Sequence, residues 1–104
     1  MAVTYEVNLD VDARIADAFI TWLHGHVRQV RALPGFTGAR VFDVDDPPAR
    51  AGRVQLCVQY RMTDAQALQD YLRDHAAAMR AEGTGRFGDG FIATRRVLRA
   101  RAGY

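Results

Sequence analysis

The sequence predicts a two-layer α+β sandwich with the element order βαββαβ. Three observations carry that reading. Two segments, at residues 3–9 and 53–62, alternate apolar and polar residues with a period of two. Two others carry apolar stripes at spacings of three and four. The two halves also repeat: Trp22-Leu23-x-x-His26-Val27-x-x-Val30-Arg31 matches Tyr71-Leu72-x-x-His75-Ala76-x-x-Met79-Arg80 at a constant offset of 49 residues.

In the first strand Val3, Tyr5, Val7 and Leu9 share one face, and Thr4, Glu6 and Asn8 the other. Asp10 or Asp12 then starts a helix, because a short carboxylate accepts from the free N–H groups of a first turn. That helix carries Ile15, Phe19, Trp22, His26, Val30 and Leu33 on one stripe and stops at Pro34-Gly35. A second strand is expected from Phe36 to Val44, followed by the polar loop 45–52 with its two prolines. The third strand, Arg53 to Met62, sets Val54, Leu56, Val58, Tyr60 and Met62 against Gln55, Cys57, Gln59 and Arg61. Thr63 or Asp64 caps a second helix whose stripe is Leu68, Leu72, His75 and Met79, flanked by Tyr71 and Ala76, and Gly83-Thr84-Gly85 is expected to end it. After a turn-rich bridge that holds Phe87, a last strand runs from Phe91 to Ala100. At this length the order is the ferredoxin-like split βαβ plan: a four-stranded antiparallel sheet with two helices on one face. Residues 1–104 form one domain, since no shift in composition marks a linker.

Composition narrows the function classes. The chain is 49% hydrophobic and 25% charged, which suits a globular domain. All 14 basic residues are Arg against 12 acidic ones, and a net +2 is a weak field. No aromatic residues interleave with Arg95, Arg96, Arg99 and Arg101 as single-strand binders need, so no nucleic acid partner is expected. No apolar run approaches the ~20 residues that span a bilayer, and the first residues lack the basic-then-apolar plan of a signal peptide. A cytoplasmic protein without a membrane partner is expected. The single cysteine, Cys57, allows no internal disulfide, and three histidines without a carboxylate at ligand spacing argue against a metal.

Two helices cover one face of the sheet, and the other holds Thr4, Glu6, Asn8, Gln55, Cys57, Gln59, Arg61 and one of Arg95 or Arg96. Such a face is plain surface, a dimer interface or a pocket wall. Glu6 with Arg61, Arg95 or Arg96 could orient an anionic ligand or simply fix strand register. The residues taken as ligand-binding are Glu6, Asn8, Gln59, Arg61, Arg95 and Arg96, and the catalytic candidates are His75, Asn8 and Arg96.

A family resemblance rests on Tyr5-Glu6-Val7-Asn8, Leu33-Pro34-Gly35-Phe36, Val58-Gln59-Tyr60, Ala67-Leu68-x-x-Tyr71-Leu72-x-x-His75, Arg86-Phe87-Gly88 and Arg95-Arg96-Val97-Leu98, which cover nearly the whole chain. These stretches resemble the small bacterial proteins of the domain-of-unknown-function 4286 family. That family in turn is similar to the dimeric α+β-barrel, antibiotic-biosynthesis-monooxygenase-like superfamily. The resemblance implies a homodimer whose sheets meet face to face and enclose the polar face, with a small anionic or aromatic ligand between them. It implies, as an alternative, a cofactor-independent monooxygenase or isomerase with His75, Asn8 and Arg96 around an aromatic substrate. Haem-degrading members of the superfamily carry a tryptophan about where Met62 stands here, so neither haem nor any other cofactor is expected.

Overall fold

The structure, a computed structural model, describes residues 1–104. Strands β1 (Val3–Asp12), β2 (Phe36–Asp43), β3 (Arg53–Met62) and β4 (Phe91–Arg99) form one sheet in the order β2-β3-β1-β4. Every neighbouring pair is antiparallel. The sheet is thus the ferredoxin-like one, with β1 and β3 at its centre. On one face lie α1 (Ala16–Arg31), α2 (Ala65–Asp74) and α3 (Ala76–Phe87).

The period-two pattern sorts the central strands as expected: Val3, Tyr5, Leu9 and Val11 of β1, with Leu56, Val58, Tyr60 and Met62 of β3, are buried in the core beneath the helices. Phe19, Met62, Val11, Val30 and Val58 are the largest side chains fully removed from water. Each contributes about 1.5–3 kcal/mol by burial.

The helical layer departs from expectation in three ways. The first helix is entered through a single 3-10 turn at Ala13–Ile15, and Asp12 caps that turn by accepting from the Arg14 N–H at 2.9 Å. Asp10 remains within β1, bonded to Arg53 (2.6 Å) and Arg50 (2.9 Å). The buried stripe of α1 is Ala16, Phe19, Leu23, Val27 and Val30, so Trp22 and His26 lie at its edge and not at its centre.

Secondly, there are three helices and not two. His75 has φ −130° and ψ −29°, outside the α-helical range, and so divides α2 from α3. The apolar register shifts across this joint: α2 buries Leu68 and Tyr71, α3 buries Ala76 and Gly83, and Leu72 is left exposed. Asp64, and not Thr63, caps α2, accepting from the Ala67 N–H at 2.8 Å.

Thirdly, Gly83-Thr84-Gly85 does not end the helix. It continues to Phe87 and stops at Gly88, where φ is +57°. Gly83 is instead a close-approach position, because a Cβ there would lie 3.0 Å from the Trp22 ring and 3.1 Å from that of Phe91.

Candidate functional site

Two places concentrate chemistry, one on each face of the sheet. On the face without helices, the ladder places Glu6 opposite Gln59 of β3 and Arg96 of β4. The Glu6 carboxylate accepts from Gln59 Nε2 at 2.9 Å, from Asn8 Nδ2 at 3.0 Å and from Arg96 Nε. These three side chains leave Glu6 only 3% exposed. Hydrogen bonds from Arg96 and Asn8 hold its pKa down at about 2, outweighing the opposing effect of burial. Cys57, beside the cluster, is buried, and its thiol is pushed upward by burial and by the negative charge of Glu6. That makes it a poor nucleophile.

Of the six residues taken as ligand-binding, the structure therefore brings together Glu6, Asn8, Gln59 and Arg96. Arg61 lies outside the cluster, in an open groove of about 380 Å³ with Arg40, Thr37 and Phe42. Arg95 is on the other side of the sheet. It pairs with Val7, so alternation turns it toward the helices while Arg96 faces away. The catalytic trio is likewise divided. Asn8 and Arg96 share the open face, whereas His75 lies in the helical layer, where it stacks on Tyr71 with ring centroids 6.4 Å apart.

The second place is a cavity of about 290 Å³ between the sheet and the helices. Its floor is Tyr5, Val7, Val58 and Tyr60 of the central strands, with Phe91, Ala93 and Arg95 of β4. Its roof comes from Trp22 and His26 of α1, Tyr71 of α2, and Met79, Arg80 and Gly83 of α3. The aromatic walls support one another: Tyr5 is 6.1 Å from Tyr60 and 6.0 Å from Tyr71, and Trp22 stacks on His26 at 4.5 Å. Arg80 donates to the Tyr5 hydroxyl at 3.1 Å. Neither Arg80 nor Arg95 is held by a carboxylate, and both are exposed at the mouth.

His26 is the one imidazole that lines this cavity. Its side chain is 14% exposed, and burial pushes its pKa below the ordinary imidazole range, partly countered by Glu82. Its Nδ1 lies 3.4 Å from the Glu82 carboxylate. A carboxylate only accepts, so Nδ1 carries the proton and Nε2 keeps a lone pair. Burial also raises the Tyr71 hydroxyl, to about 12, against the lowering fields of Arg80 and Arg95.

The family model described as a domain of unknown function (DUF4286) matches residues 2–101. The chain belongs to that family. No curated protein matches it in sequence. Among solved structures it is similar to SnoaB, a cofactor-independent oxygenase from Streptomyces nogalater, at 16% identity and a TM-score of 0.71, over 98% of this chain and 95% of that one. It is also similar to Rv0793 from Mycobacterium tuberculosis, at 17% identity and a TM-score of 0.71, over 99% and 98% of the two chains. A conserved protein from Methanosarcina mazei Go1 gives 12% identity and a TM-score of 0.73, over 97% and 94%. These likenesses show the fold alone, the four-stranded ferredoxin-like α+β sandwich described above.

Sequence reasoning missed the cavity because its walls read as core. Tyr5, Tyr60 and Trp22 belong to apolar stripes, and nothing in a stripe says that its partners stop short of contact. One signal was present. The 49-residue repeat places Trp22 and His26 four apart, and Tyr71 and His75 likewise. In the structure each pair is a stacked aromatic–imidazole couple, a polar ring that a fully packed core has no use for.

Proposed function

We propose that this protein binds a planar aromatic anion in the cavity between helices and sheet, and that it does so as a homodimer joined through the polar face. The observation that carries the ligand reading is the pairing of aromatic walls with Arg80 and Arg95, two guanidiniums free of carboxylates at the mouth. Aromatic faces take up a flat ring, and a free guanidinium recognises a carboxylate or phenolate. About 290 Å³ suits a ligand of one or two rings. The polar face is the weaker ligand site, because Glu6, Asn8, Gln59 and Arg96 already satisfy one another.

The homodimer is supported by three exposed apolar side chains on that same face, Phe42, Ile92 and Leu98, around the satisfied polar cluster. Apolar groups around a neutralised polar centre suit a sheet-to-sheet seam better than bulk water.

Titration of benzoates and phenolates tests the ligand reading through the fluorescence of Trp22, the only tryptophan. Quenching that saturates, and weakens at least tenfold in the Arg80→Ala, Arg95→Ala double variant, is expected. Quenching that is unchanged in that variant removes the anion preference.

A second reading, oxygenation of such a ligand without a cofactor, is supported by the likeness in fold to SnoaB. Oxygen consumption across a panel of hydroquinones tests it, and rates equal to buffer end it.

A further inference from the structure

We propose that His26 and Glu82 form a proton-accepting site, and that the natural ligand enters the cavity as a phenol and is held there as its phenolate. This rests on the cavity-binding reading above and specifies the ligand class. Three features of the geometry support it. The His26 ring is fixed from two sides, by the face of Trp22 at 4.5 Å and by Glu82 at 3.4 Å. The contact with Glu82 occupies Nδ1 and leaves Nε2 without a hydrogen-bond partner on a residue that lines the cavity. Arg80 and Arg95 line the same space, so an oxyanion formed there meets positive charge.

The step is a proton transfer. The ligand O–H bond breaks, an Nε2–H bond forms, and the electron pair stays on the phenolic oxygen. The imidazolium is balanced by Glu82, and the phenolate by the guanidiniums. Each partner is kept in the right state beforehand. Burial keeps His26 neutral before the ligand enters and works against its protonation, while Glu82, and then the phenolate itself, stabilise the charged form once it exists.

The other groups around His26 do not offer a competing base. The sheet contributes the hydroxyls of Tyr5 and Tyr60 with Arg95; α2 adds Tyr71 and α3 adds Arg80 and Glu82. Burial raises the Tyr60 and Tyr71 hydroxyls, so they remain protonated. Arginine does not deprotonate. Glu82 is 43% exposed and reaches the cavity only through His26. It is therefore a positioning residue and His26 the acceptor.

The probe is 4-nitrophenol, whose phenolate absorbs visible light while its phenol does not. Trp22 quenching reports occupancy, and the visible band reports ionisation. In the wild type, bound probe is expected to ionise at a pH lower than free probe by about one unit, a tenfold change in ionisation constant. At saturating probe His26→Gln is expected to lose most of that shift, with weaker binding because His26 borders the cavity and stacks on Trp22. Glu82→Gln, at an exposed position where folding is not at stake, is expected to retain binding with a smaller shift. Bound probe that ionises at its solution pH overturns the proposal while leaving the binding reading intact, as does a full shift in His26→Gln. Absence of any quenching by 4-nitrophenol or by the benzoates removes the binding reading and this proposal with it.

Discussion

Glu6 and Arg96 face each other across the β1–β4 ladder on the side of the sheet that carries no helix, yet Glu6 is almost fully buried. The long side chain of Arg96, 66% exposed, lies over the carboxylate while Gln59 and Asn8 close it from β3 and β1. The cluster thus ties three strands together through one charge. A slip of β4 by one residue that sets Val97 opposite Glu6 would leave that charge without its main partner, whereas the opposite slip would offer it Arg95, so the cluster opposes slippage in one direction as well as adding stability.

The first prediction concerns acid. Hydrogen bonding lowers the Glu6 pKa from the ordinary 4.5 to about 2 in the folded chain. A group whose folded pKa is depressed stabilises the fold above its unfolded pKa, and that stability is lost as pH falls through the folded value. Between pH 4.5 and 2 the wild type should therefore lose on the order of 2 kcal/mol more than Glu6→Gln does, after a discount for the exposed Arg96. Denaturant unfolding at pH 7 and pH 2 measures this. Parallel losses in the two proteins would show that the carboxylate is not held as described.

The turn after α1 gives a second prediction. Gly35 has φ +88°, and a Cβ there would sit 2.6 Å from the Cβ of Ala67 on α2. Gly52 has φ +75° with open space around it. Both Gly→Ala changes incur the left-handed backbone cost of about 1–2 kcal/mol, and only Gly35→Ala adds overpacking of about 1–3 kcal/mol. Gly35→Ala should therefore lower unfolding free energy by about 2–5 kcal/mol in all, clearly more than Gly52→Ala. Equal losses in urea titrations would mean that the approach of α2 to this turn is not tight.

These positions also show what the sequence could reveal. β1 and β3 were legible because both alternate strictly, and each has one face under helices. The parity of β4 was not, because Arg95 and Arg96 are adjacent and identical in type, and the apolar residues Phe91, Ile92, Ala93, Val97 and Leu98 fall on both faces. Only the pairing of Glu6 with Arg96 decides which of them faces the open side. The division at His75 was hidden for a different reason. No proline or glycine marks it, and the ladder continues across it, with the His75 N–H bonded to the Tyr71 carbonyl at 2.9 Å and the Met79 N–H to that of His75 at 3.1 Å. Gly83 misled in the opposite direction. In a glycine-rich stretch it reads as a stop, whereas its role is to make room for two aromatic rings.

Gly83 supports the third prediction. Alanine at this helical position gains about 1 kcal/mol of helix propensity, while its Cβ presses on Trp22 at 3.0 Å and on Phe91 at 3.1 Å. Both rings border the cavity, so they can yield by moving into it. Gly83→Ala should leave the melting temperature within a few degrees of wild type and weaken aromatic ligands several-fold by reducing the space. Titration of the nitrophenol by Trp22 quenching checks the second half. Unchanged affinity would place the ligand away from these rings.

The last prediction addresses the seam. Ile92 is 52% exposed on the open face of β4, opposite Asp10, in a groove of about 380 Å³ that also holds Asn8, Gln55 and Thr94. A glutamate there has room and water in the single chain and faces Asp10, whose charge Arg50 and Arg53 already offset, so Ile92→Glu should lower folding stability by no more than about 1 kcal/mol. Across a sheet-to-sheet seam the same carboxylate would be desolvated without a partner, at a cost of several kcal/mol for each copy. Sedimentation velocity should therefore find a dimer for the wild type and a monomer for Ile92→Glu, with circular dichroism unchanged. A wild type that sediments as a monomer, or a variant that remains dimeric, would remove this face from any role in assembly.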